Sequence, residues 1–151
     1  MSSAAIMNTA PVTVRDQDTV SDAVATLVSN HLTNLPVVDS DDRYVGTFGI
    51  HDLLALLVPR VALAGDLMAN LRFIDDDPKE LRRKYGVVRD RPVSEFVNRN
   101  APTLVAGSPG GEAVRLFCRN HVSLPVVDRA SGRVLGTLSC WDTVRNILGE
   151  P

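Results

Sequence analysis

Cysteine is scarce in this chain. Cys118 and Cys140 are the only two among 151 residues, and they form no CxxC pair. That excludes a disulfide scaffold and a zinc site built from four cysteines. Aromatic residues are only 5%, so Val, Leu, Ala and Ile must fill any core. No sign of charge dominates: sixteen Lys and Arg stand against eighteen Asp and Glu, a net charge of −2. This excludes wholesale electrostatic binding of nucleic acid. Long apolar runs are missing too. The richest, Leu53 to Val58, stops at Pro59-Arg60, far too short to cross a bilayer. No basic patch followed by an apolar stretch opens the chain, so no signal peptide is expected. A cytoplasmic protein without membrane insertion is the expectation. The phosphate loop, the nucleophile elbow and the dinucleotide fingerprint are absent. No two histidines are spaced i, i+4, and no Cys–His cluster has ligand spacing. The expected catalytic and metal-binding residues are therefore none.

What is present is a repeat. Apolar residues reach 44%, enough for a core, and 151 residues fit one medium domain or two small ones. Leu35-Pro36-Val37-Val38-Asp39 returns 89 residues later as Leu124-Pro125-Val126-Val127-Asp128. Gly46-Thr47 with Asp52 returns as Gly136-Thr137 with Asp142, and Asn30-His31 as Asn120-His121, both 90 later. Ala10-Pro11 returns as Ala101-Pro102 after 91. Ordered matches at one slightly drifting offset indicate duplication.

Each copy predicts the same elements. A short strand opens it, Val12 to Arg15 or Leu104 to Ala106. A helix follows. In the first copy Thr19 is its cap, Asp22 completes a capping box, and Val20, Ala23, Val24, Leu27 and Val28 form an apolar stripe. In the second copy Ser108 caps, Pro109 takes the first helical position, and Ala113, Val114, Phe117 and Cys118 form the stripe. The Leu-Pro-Val-Val-Asp segments read as strands buried on both faces. Polar turns lead into Tyr44 to Ile50 and Val134 to Cys140, which place Cys140 in a strand. Second helices start near Asp52 and Asp142. The fold class is α+β: two pseudo-symmetric β-α-β-β-α units packed through their sheets into one module. The expected division is 1–58 for unit one, 59–91 for a connector with short helices, and 92–151 for unit two. Within the connector, Lys79 to Tyr85 predicts a charged helix ending at Gly86. Its arginines are offset by Asp75, Asp76, Asp77, Glu80 and Asp90, as on a solvated face.

These residues resemble a tandem pair of CBS domains, the regulatory unit named from cystathionine beta-synthase. The paired Leu-Pro-Val-Val-Asp strands, the Gly-(x)5-Asp ends and the element order carry the likeness. The resemblance implies a non-catalytic sensor whose clefts take an adenosine-containing ligand: AMP, ADP or ATP, or related S-adenosylmethionine or NAD. No covalent cofactor is implied. It further implies a homodimer that modulates a separate effector protein. The alternative is a ligand-free module whose work is dimerisation. Leu53, Leu54, Leu57, Ile147 and Leu148 are the expected dimer face.

The family's ligand motif is Gly-x-x-(Ser/Thr)-x-x-Asp. The second copy carries it in full as Gly136, Ser139 and Asp142; the first has Gly46 and Asp52 with Gly49 in place of the hydroxyl. A carboxylate suits two ribose hydroxyls, and a hydroxyl with helix-start N–H groups suits phosphate. Carried over from the family, Ser139 and Asp142 meet Ala10, Val12, Leu32 and Thr33, while Asp52 meets Thr103, Val122 and Ser123. Val12, Leu32 and Val122 are the expected apolar walls. Arg145 and Arg99 are the basic candidates for a phosphate tail. Helix N-capping accounts for both aspartates without any ligand. His31 and His121 hold matching places, which suggests a repeated rim role. Trp141, the sole tryptophan, is expected over a ligand or in a dimer face.

Overall fold

The computed structural model describes residues 2–58 and 77–149. The first unit comprises β1 (Val14–Arg15), α2 (Val20–Asn30), β2 (Asn34–Val38), β3 (Tyr44–Gly49) and α3 (Ile50–Leu56). A short helix α1 (Ser3–Ile6) precedes it. Then come α4 (Pro78–Val88) and a 3₁₀ turn at Val93–Glu95. The second unit comprises β4 (Leu104–Val105), α5 (Gly110–Phe117), β5 (Leu124–Val127), β6 (Val134–Leu138) and α6 (Cys140–Ile147). The expected α+β pairing of two like units is what the chain adopts. Asp75, Asp76 and the connector stretch 59–76 lie outside the described residues.

Each sheet has three strands, ordered β1-β2-β3 and β4-β5-β6. The opening strand runs parallel to the Leu-Pro-Val-Val strand, and the third pairs with it antiparallel. The central position explains why β2 is buried along its whole length. Helix α2 follows its sequence signals. The Thr19 hydroxyl accepts from the Asp22 N–H at 3.1 Å, and the Asp22 carboxylate accepts from the Thr19 N–H at 3.2 Å. Val20, Ala23 and Leu27 then pack against Leu35, Val37 and Phe48. His31 ends the helix in the left-handed region, at φ 52°.

Five local expectations are corrected. Helix α5 starts at Gly110 with Pro109 as its cap residue, so Ser108 does not cap it. The Ser108 carbonyl is instead drawn to α1, accepting from the Ser3 N–H at 3.0 Å and the Ser3 hydroxyl at 3.2 Å. Cys118 is exposed at the end of that short helix, and Cys140 is exposed as the first residue of α6. Strand β6 stops two residues earlier, because Ser139 leaves the sheet to cap the helix. Val28 and Val114 are exposed, so the stripes are narrower than expected. Finally, α4 runs past Gly86 to Val88. On and after it, ion pairs Glu80–Arg83 and Arg91–Glu95 make a solvated face.

The segments before each unit are exchanged. Ile6 and Met7 pack on the second core, while Val93, Phe96 and Val97 pack on the first. Asn8 pairs with Thr137 through main-chain bonds of 2.8 and 3.1 Å, and Asn98 pairs with Thr47 at the same two lengths. Packing thus crosses the division into 1–58 and 92–151. The two motif glycines make this possible. A Cβ on Gly46 would stand 2.6 Å from the Asn98 carbonyl oxygen, and one on Gly136 would stand 2.7 Å from the Met7 sulfur.

Candidate ligand cleft

Strand β6 delivers Ser139 to the start of α6, where it forms a closed exchange with Asp142. The Ser139 hydroxyl accepts from the Asp142 N–H at 3.1 Å and donates to Asp142 Oδ2 at 2.8 Å. The Ser139 N–H donates to the same Oδ2 at 2.9 Å. The second oxygen, Oδ1, makes no hydrogen bond among the described residues. The aspartate is therefore a cap with half of its acceptor capacity unspent.

Beside this cap lies a cavity of about 410 Å³. His31, Leu32 and Thr33 of the first unit line one side, and His121, Val122 and Ser123 of the second line the other. Ser139, Cys140 and Trp141 close it from the helix start, with Phe117 and Asn120 from the end of α5 and just past it. A volume of that size lies in the range of small-molecule pockets, roughly 300 to 1,000 Å³. An adjoining recess of about 50 Å³ shares Leu32 and Ser123 and adds Val12, Asn34 and Thr137. The structure so brings together Val12, Leu32, Thr33, Val122, Ser123 and Ser139. Asp142 is held at the edge through Ser139 and lines neither cavity. Ala10 also lines neither, and its N–H bonds to the Asn8 side chain. Arg145 and Arg99 line no described cavity. The titratable side chains in the larger cavity are His31, His121 and Cys140.

The related place in the first unit is built differently. Gly49 packs against β2 so tightly that a Cβ there would meet the Thr33 carbonyl oxygen at 2.8 Å. The Ile50 N–H bonds to that carbonyl at 2.9 Å. Asp52 accepts from the Gly49 N–H at 2.8 Å, and neither Asp52 nor Thr103 lines a described cavity. Burial raises the Asp52 pKa, opposed in part by the Gly49 N–H and by His51. A carboxyl with a raised folded pKa binds its proton better folded than unfolded. Its contribution to stability therefore falls as pH rises from the unfolded value through the folded one, and is lowest above both. Asp52→Asn is expected to keep or slightly raise stability at neutral pH and to flatten the acid limb of the urea midpoint against pH. A marked loss at neutral pH would show that the charge itself is needed.

Sequence reasoning missed Asn34. Its side chain is only 7% exposed as a residue and reaches across to the second unit. Nδ2 donates to the Ser123 carbonyl and Oδ1 accepts from the Ser123 N–H, both at 2.9 Å. The available signal was the mismatch of Asn34 with Ser123 just before two identical pentapeptides. Phe117, Asn120 and Cys140 were also not assigned to the cleft; their placement depends on how α5 ends and α6 begins. Among the described residues no three His, Cys, Asp or Glu side chains are gathered as a metal would need.

The family model for the CBS domain matches residues 3–59 and 93–149, both repeats. The chain belongs to the CBS domain family. Solved CBS-pair structures share its architecture. CBSX2 from Arabidopsis thaliana is 25% identical, with 98% of this chain and 94% of that one covered and a TM-score of 0.69. CBSX2 in complex with AMP is likewise 25% identical, with 98% and 96% covered and a TM-score of 0.69. A CBS domain-containing protein from Bacillus anthracis shows the same fold at 13% identity, with 100% and 95% covered and a TM-score of 0.75. None of the curated proteins matches this chain. No described helix is long and apolar enough to cross a membrane.

Proposed function

We propose that this CBS pair is a non-catalytic regulatory module that binds an adenosine-containing ligand of the AMP class in the Ser139 cleft. The observation that carries this is the cleft between the two units, beside a Ser139–Asp142 cap with one free carboxylate oxygen. CBSX2, which shares the architecture, forms a complex with AMP. Leu32, Val122 and Phe117 supply apolar surface for a base, and Asp142 Oδ1 is available to ribose hydroxyls. The α6 start and the two histidines offer N–H donors to a phosphate. Among the described residues no Lys or Arg lines the cleft, and a monophosphate suits such a lining better than a triphosphate. The protein acts in the cytoplasm on a separate effector, through an arrangement of units that the ligand stabilises.

The test uses Trp141, which lines the cleft and is 71% exposed. Adding AMP should change its fluorescence saturably, with ADP and ATP weaker. No response to any nucleotide, coupled with no rise in melting midpoint, would contradict the reading.

The same reading makes the protein a homodimer. Trp141, Val144, Ile147 and Leu148 are exposed on α6, and Leu54 is exposed on α3. Leu57, expected on this face, is buried, and Leu53 packs on the first core. An apolar helix face of this kind is hidden most simply by a second copy. Light scattering at micromolar concentration should give twice the 16.3 kDa chain mass. Ile147→Glu should shift it to the monomer mass, and a monomeric wild type would rule the dimer out.

A further inference from the structure

We infer that Asn34 is a positioning residue that makes the two repeats unequal, holding the β5 and β6 ends apart at the Ser139 cleft while the β2 and β3 ends stay paired. Only its ligand arm rests on the function proposed above. A carboxamide presents a donor and an acceptor in one plane, so it can bond both main-chain groups of one residue, as a neighbouring strand would. Asn34 does this to Ser123, with two bonds of 2.9 Å, and the Thr33 hydroxyl donates to the same Oδ1 at 3.3 Å. Ser123 stands at the repeat position of Asn34. A serine side chain is too short and has too few groups to return the double bond. The link between units therefore runs one way.

The two sheets differ at the same place. In the first unit, pairing of the second and third strands begins at Asn34 with Gly49, and the Ile50 N–H extends it to the Thr33 carbonyl. In the second unit, pairing begins one step later, at Leu124 with Leu138. The pairing of Ser123 with Ser139 is missing, and Cys140 makes no bond to Val122 equivalent to that of Ile50 to Thr33. Val122, Ser123, Ser139 and Cys140, between which those contacts are missing, all line the cavity. Asn34 fixes the Ser123 main chain toward the first unit. The Asp142 bond to the Ser139 N–H has its match in Asp52 and Gly49, where the strands still pair, so the difference lies with Asn34. Without the carboxamide, Ser123 is free to settle against Ser139, as Asn34 does against Gly49.

The experiment is amide hydrogen exchange on the full chain, comparing Cys140 with Ile50, alongside AMP titration. In the wild type the Cys140 amide should exchange faster than Ile50 by about ten-fold or more, the effect of one local hydrogen bond. N34S, which installs the residue of the other unit, should bring the two rates together and weaken AMP about ten-fold. A merely structural role would speed both amides and leave their ratio unchanged, and that result overturns the inference. If N34S does not fold, N34D decides by the same ratio, because its carboxylate keeps the size and repels the Ser123 carbonyl. Should the wild type ignore AMP, the ligand reading falls, and the exchange ratio alone still supports or overturns the role of Asn34.

Discussion

Gly136→Ala is expected to unfold the N-terminal arm from the second unit and to lower stability by about 3 kcal/mol, the upper range for overpacking a closed contact. The reason is steric. The added methyl would collide with the Asn8 carbonyl oxygen and stand 2.7 Å from the Met7 sulfur. The arm is pinned there by both Asn8–Thr137 main-chain bonds, so it cannot yield without losing them. Ile6 and Met7 would leave the second core with it. Gly111→Ala is the control: nothing lies within 4 Å of a Cβ at that position. There alanine should be neutral or stabilising by up to about 1 kcal/mol, through helix propensity. Guanidinium midpoints of both variants check this. Equal midpoints would mean that the motif glycine is not there to admit the arm.

Asp142→Asn should cut AMP affinity on the order of 10- to 100-fold while changing stability by less than about 1 kcal/mol. The first figure follows from losing a charge-assisted hydrogen bond, roughly 1.5–3 kcal/mol. The second follows because asparagine caps a helix about as well as aspartate, and one oxygen still faces the Ser139 N–H and hydroxyl. Capping alone would leave affinity untouched. Asp52→Asn is the matched control, since that carboxylate caps α3 at Gly49, where the motif hydroxyl is lacking, and should not alter binding. Affinity and urea midpoint, measured on both variants, separate a ligand contact from a cap.

Much of the fold is legible in the chain because its signals are local. The Thr19–Asp22 capping box and the Val20, Ala23, Leu27 stripe lie within one helix, and the repeated pentapeptide marks the central strand of each sheet. What escaped depends on distant partners. Ser108 has every local mark of a cap, yet α1 claims its carbonyl from 105 residues away. Cys118 and Cys140 fit apolar patterns, but α5 and β6 end just before they could be buried. The cleft was half legible. Leu32, Thr33, Val122, Ser123 and Ser139 follow from motif position. That Gly49 packs tightly on β2 required knowing how near the Thr33 carbonyl comes. The role of Asn34 required knowing that its amide faces the main chain of Ser123, a relation no spacing within either copy contains.

One cleft per chain, beside Ser139, is expected to take the ligand. Calorimetric titration of the full chain with AMP tests it most directly. The expected result is one AMP per chain, with binding abolished or strongly weakened in Asp142→Asn and retained in Asp52→Asn. Two equal sites per chain, or binding lost in Asp52→Asn alone, would contradict it.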